Sequence, residues 1–161
     1  MIRRLVWVFA VMGLLLGAGG VAQAAPPTPA SGTYTATTII SFEVNQVGPN
    51  TVIEQTAAGI VSGTLSGTLV EEIKAIVHPN GVVPGQGTFT CACTMGGESG
   101  TLEFVVATIG DFATQTFQGR AIITSATGDL TGLRGVLELQ GTVDPSGLST
   151  ITYEGGIHDH S

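Results

Sequence analysis

The chain has 161 residues, 43% of them hydrophobic and only 11% charged, with 24 glycines. Five basic residues stand against twelve acidic ones, a formal charge of −7. That balance repels nucleic-acid phosphates and anionic lipid surfaces, so neither is expected as a partner. The length suits one domain with its own core.

Residues 1–24 read as a signal peptide. Arg3 and Arg4 form the positive start, and Leu5 to Leu16 an apolar run broken only by Gly13. Ala22-Gln23-Ala24 then fits the small-x-small cleavage pattern. The run is shorter than the roughly 20 residues a spanning helix needs, so cleavage after Ala24 is expected, giving a secreted or periplasmic protein with no membrane contact. No Cys marks a lipid-anchor site. Removing 24 residues from 161 leaves 137, with Lys74, Arg120 and Arg134 against all twelve acids, a formal charge of −9.

Residues 25–30 form a Pro-rich spacer. From there the composition is that of a sheet protein, rich in Gly, Thr and Val. The remaining prolines fall in turn-like clusters: Gly48-Pro49-Asn50, His78-Pro79-Asn80-Gly81, Val83-Pro84-Gly85 and Asp144-Pro145-Ser146-Gly147. Between these marks the sequence predicts eight strands, Thr33–Gln46, Thr51–Ser62, Thr64–His78, Thr88–Thr94, Gly100–Ile109, Gln115–Thr124, Val136–Val143 and Ser149–Gly155. No stretch has a helical period of useful length.

Alternation places Tyr34, Ala36, Ile40, Phe42 and Val44 on one face, and Leu69, Ile73, Ala75 and Val77 on another. Leu102, Phe104 and Val106 form a third face; Leu137, Leu139 and Val143 form a fourth. Eight antiparallel strands with one apolar face each are most economically closed into a barrel over residues 31–157, with a β-sandwich as the alternative. Residues 158–161 are read as a tail.

The stretch Gly128-Asp129-Leu130-Thr131-Gly132-Leu133-Arg134-Gly135 spends three glycines in eight residues and marks a tight, specific corner. The spacing of Leu130 and Leu133 suits one helical turn tucked under the sheet. Gly128, Gly132 and Gly135 are expected in conformations that a β-carbon disfavours, with Arg134 tying the corner to an acid or carbonyl.

Three stretches together resemble one family: Ser31-Gly32-Thr33-Tyr34, Thr94 to Phe104 with its Gly96-Gly97 turn, and the Gly128–Gly135 corner. Their order and spacing are similar to the bacterial domain-of-unknown-function 3224 family, and Ile151-Thr152-Tyr153-Glu154 is similar to its final strand. The resemblance implies the eight-stranded antiparallel barrel of allene oxide cyclase, which dirigent proteins share. It implies a fold more than an activity. Many members carry Gln-His late in the strand after the Gly-Gly turn; Val105 and Val106 stand there in this chain, and no catalytic residue carries over.

Cys91-Ala92-Cys93 places two thiols on one strand face, with α-carbons about 6.6 Å apart in regular geometry. That is the outer limit for a disulfide, so a bridge here would be strained, yet an exported protein meets an oxidising compartment. A local disulfide, free thiols and metal or redox work are the readings left open. His158-Asp159-His160 lacks the spacing of a zinc motif and reads as solvated tail, so no metal and no cofactor is expected. Arg120, set among Glu103, Glu154 and Tyr153, is a candidate polar handle for a ligand in the barrel, with ordinary surface pairing as the alternative.

The functional expectation is binding of a small, mostly apolar molecule in the lumen. A cofactor-free cyclase or isomerase is the alternative, and a structural, self-assembling surface protein a further one; homo-oligomers fit any of them. A hollow barrel favours the first two, and an acid facing an apolar lumen favours the enzyme. Intact-mass measurement of the exported protein should show a chain starting at Ala25, whereas a full-length species in the membrane fraction would contradict the leader reading.

Overall fold

Alternating Thr/Val-rich runs, separated by Gly, Pro, Asn and Asp, favour long strands joined by short turns. The computed structural model describes residues 26–159; the leader, its cleavage site, His160 and Ser161 lie outside the described residues. The strands are β1 (Thr28–Val47), β2 (Asn50–Gly63), β3 (Ser66–Val77), β4 (Val82–Met95), β5 (Glu98–Asp111), β6 (Thr116–Ala126), β7 (Leu133–Val143) and β8 (Ser149–Asp159). Each pairs antiparallel with its sequence neighbours, and β1 also pairs with β8, closing a barrel. The fold is thus the barrel and not the sandwich.

Most strands turn alternate residues inward. Leu69, Cys91, Leu102, Phe104, Val106, Leu137, Leu139, Ile151 and Tyr153 are all buried. The first expected face needs correction. Tyr34 and Ala36 are buried, but Ile40, Phe42 and Val44 are exposed. The β1–β2 pairing slips between Ala36 and Thr38 and again between Ile39 and Ser41, so simple alternation along β1 does not hold. In addition, β8 pairs with β1 only over Thr28–Thr35, and the rest of β1 projects past it with β2.

Three boundaries also differ. β1 begins inside the expected spacer, with Thr28 opposite Ile157. β8 continues through His158 and Asp159, opposite Arg134 and Leu133, so these two residues are strand and not tail. Val83-Pro84-Gly85 is strand rather than turn: the β3–β4 ladder stops at Ala75 and Gly85, while Pro84 pairs across to Ile109 of β5. A residue without an N–H is tolerated there because the neighbouring ladder has already ended.

The β6–β7 connection plugs one end of the barrel. Gly128–Leu130 is a single 3₁₀ turn, with the Thr131 N–H and hydroxyl both donating to the Gly128 carbonyl at 3.2 and 2.7 Å. Gly128 and Gly132 hold φ of +66° and +92°. Gly135 is disfavoured for another reason: it lies in β7, where a β-carbon would meet the Gly156 carbonyl oxygen at 2.5 Å. Arg134 donates to the Leu133 carbonyl at 2.8 Å. Leu130 is fully buried and Leu133 half-buried against the core. Leu130→Ala should therefore cost roughly 2–5 kcal/mol by denaturant unfolding and Leu133→Ala clearly less. Gly128→Ala should cost on the order of 1 kcal/mol or more. Parent-like stability in all three would mean that the corner does not hold the barrel end.

Candidate functional site

The two ends of the barrel differ in kind. At the corner end, inward side chains fill the lumen: Leu65, Leu102, Leu130, Tyr153 and Ile157 are all buried. Tyr153 fastens this end, its hydroxyl accepting from the Leu65 N–H at 3.0 Å and lying 3.3 Å from the Ser62 carbonyl. At the other end the β5–β6 and β7–β8 turns, with strand residues of β1 to β4 facing them, line a cavity of about 660 Å³. A volume of this order suits a small organic ligand.

The cavity walls are mainly apolar, with Ile53, Ile73, Ala75, Val77, Phe89 and Ile151 among them. Phe117 adds a ring that lies directly over Gly141, its partner across the β6–β7 ladder; a β-carbon on Gly141 would occupy the ring's place. Phe42 and Phe112, both half-exposed, stand at the mouth. The rim carries two acids whose positions are fixed by turns. Asp111 accepts from the N–H groups of Ala113 and Thr114 at 2.7 and 3.1 Å. Asp144 accepts from the Ser146 hydroxyl and from the N–H groups of Leu148 and Ser146 at 3.0 and 2.8 Å, and these bonds, the hydroxyl's first, hold its carboxyl below the usual range.

Between the filled and open halves is Glu71, only 3% exposed. It is flanked on the ladder by Ala57 of β2 and Phe89 of β4. Ser149 of β8, the other buried polar residue among the described residues, faces its two carboxyl oxygens at 2.9 and 3.1 Å. Burial pushes the Glu71 carboxyl up to about 7, against which the Ser149 hydroxyl acts weakly in the other direction. Tyr34 is close enough for its phenol to be raised both by burial and by the Glu71 charge. Its hydroxyl is buried without a hydrogen-bond partner, an arrangement that proteins seldom tolerate without cause. A second contact, from the Gln55 amide to the Gly147 carbonyl at 2.9 Å, ties β2 to the β7–β8 turn just above.

The residues proposed as a polar handle do not meet here. Arg120 points outward and pairs with Glu138 at 2.8 Å, both exposed. Glu103 and Glu154 are also exposed, because they occupy the outward register of their strands. Tyr153 points inward but belongs to the filled end. Cys91 and Cys93 are bridged and buried in the core, with α-carbons 5.3 Å apart, closer than regular strand spacing. Val106 is buried and Val105 half-exposed, so neither brings polar chemistry to the lumen.

The sequence carries a signal for Glu71 that scarce charge alone does not reveal. This residue stands between Leu69 and Ile73 on the very face that alternation assigns to the interior, and a carboxylate in an inward register is itself the signal.

No family model and no curated protein sequence matches the chain. Among solved structures, it is similar to a DUF3224-family protein of unknown function from Shewanella oneidensis MR-1, with 15% identity and a TM-score of 0.66 over 84% of this chain and 99% of that one. It is also similar to the pterocarpan synthase dirigent protein PsPTS1, with 12% identity and a TM-score of 0.54 over 86% of this chain and 99% of that one. At these identities the likeness defines the fold, an all-β closed barrel of the kind the sequence resemblance implies.

The raised Glu71 pKa has a direct consequence for stability. The folded state holds its proton more tightly than the unfolded chain, so the full stability is present below the ordinary carboxylate pKa. It is lost as pH rises through about 7. Glu71→Gln should remove on the order of 2–3 kcal/mol of that decline between about pH 4.5 and 7.5. Urea unfolding of parent and variant across this range tests the point; parallel pH profiles would mean that Glu71 is ordinarily solvated.

Proposed function

We propose that the protein binds a small, mostly apolar molecule in the open half of the barrel. One observation carries this reading: a cavity of about 660 Å³ with apolar walls and a single buried acid at its floor. A structural protein has no need to keep such a volume empty, since void-lining atoms forgo packing contacts. The same proposal puts this binding outside the cytoplasm, supported by the expected leader that ends in Ala22-Gln23-Ala24.

Glu71 favours a second reading, a cofactor-free cyclase or isomerase. An acid with a pKa near 7 is populated in both protonation states near neutrality and is suited to give a proton and take one back. PsPTS1 is called a pterocarpan synthase, which shows only that a barrel of this shape accommodates catalysis in another protein. On this reading the apolar walls shape the substrate and Glu71 supplies the proton.

The neutral fluorophore N-phenyl-1-naphthylamine tests the binding reading. Its emission should rise on addition of the parent protein. Ala75→Trp, which fills the lumen, should weaken binding at least tenfold, while Ile122→Trp on the outer surface should not. Melting curves of both variants establish that they are folded. Equal binding by parent and Ala75→Trp would put the probe elsewhere and remove the support for the lumen.

A further inference from the structure

We propose that the molecule taken up by the lumen is an apolar amine bound as its cation, with the ammonium at Glu71 and the apolar body against the phenylalanine rings. The inference rests on the lumen-binding reading and deepens it.

The charges around the cavity are all of one sign. Glu71, Asp111 and Asp144 line it, and among the described residues no Lys, Arg or His does. The Lys and Arg side chains of the described residues are engaged elsewhere: Lys74 pairs with Glu54 and Arg120 with Glu138 on the outer surface, and Arg134 is at the corner; His78 meets the Asn50 side-chain oxygen at 3.0 Å. A low-dielectric cleft lined by carboxylates focuses a negative potential, which draws cations in and keeps anions out.

The floor is also incomplete in hydrogen-bond terms. A carboxylate has about four lone-pair sites. The Ser149 hydroxyl lies near both Glu71 oxygens but has one proton to give, so most of this acceptor capacity is open to a ligand. An ammonium brings three donors and the compensating charge that the protein itself does not provide.

The walls suit the remainder of such a ligand. Phe42, Phe89, Phe112 and Phe117 place aromatic rings from the mouth to the floor, and ring faces attract cations while covering apolar groups. A carboxylate ligand would confront three acids. A neutral alcohol would gain the apolar contacts but no ion pair with the ionised form of Glu71.

Three probes of one shape separate these cases: 2-naphthylmethylamine, 2-naphthylmethanol and 2-naphthoate, each titrated calorimetrically into the exported chain at neutral pH. The amine is expected to bind at least tenfold more tightly than the alcohol, and 2-naphthoate most weakly. Glu71→Gln should bring the amine down to the level of the alcohol. Equal or tighter binding of the alcohol or the naphthoate overturns the amine inference and leaves lumen binding intact. So does an amine preference that survives Glu71→Gln, because the charge would then lie at the rim. Failure of all three probes to bind the parent overturns the lumen reading and the amine inference with it.

Discussion

The pairing of β1 with β8 is the constraint on which the rest of the molecule depends. It joins the first strand to the last over Thr28–Thr35 and Thr150–Ile157, and without it the other pairings would form an open sheet with two unsatisfied edges. The same ladder determines the asymmetry of the lumen. Where it exists, inward residues from opposite walls meet and fill the interior. Beyond Thr35, β1 and β2 continue without β8, and the space they leave is spanned by side chains instead, Gln55 to Gly147 and Glu71 to Ser149. The cavity lies above those two contacts.

Glu71 is expensive in this position. A carboxyl removed from water without a cationic partner is destabilised in its charged form, which is why its pKa rises. A hydrophobic residue would pack there at no such cost, as Leu69 and Ile73 do on the same face. The unpartnered Tyr34 hydroxyl lies beside it. A buried carboxyl without a cationic partner, at the floor of an apolar cavity, is costly for stability, and the binding proposed above would give it a use. The filled end, by contrast, has its own polar group, Tyr153, bonded to the Leu65 backbone.

The structural likenesses fit this division of labour. A barrel shared with a protein of unknown function and with a dirigent protein at 15% and 12% identity shows how little sequence the scaffold requires. What the closed sheet requires is an inward register and turns of the right kind. What a site requires is a particular side chain at one inward position, which the fold itself does not specify.

The sequence by itself determined the strand count, the antiparallel order, most inward faces and the corner, because period-2 alternation and Gly-rich turns are local properties. Leu102, Phe104, Val106, Leu137 and Leu139 fall inside as their spacing requires. Local pattern failed in β1, where two register slips cancel the alternation that Ile40, Phe42 and Val44 suggest, and at Pro84, where a turn residue is in fact strand at the end of a ladder. The site needed the tertiary structure. Arg120, Glu103 and Glu154 attract notice in the sequence as scarce charges near one another, but each points outward from its strand. Glu71 and Ser149, 78 residues apart, come together only because β3 and β8 face each other across a lumen whose shape depends on where the β1–β8 ladder stops. The sequence marks where β8 begins, but not which residue of β1 stands opposite it, and that register, Thr35 facing Thr150, is a property of closure.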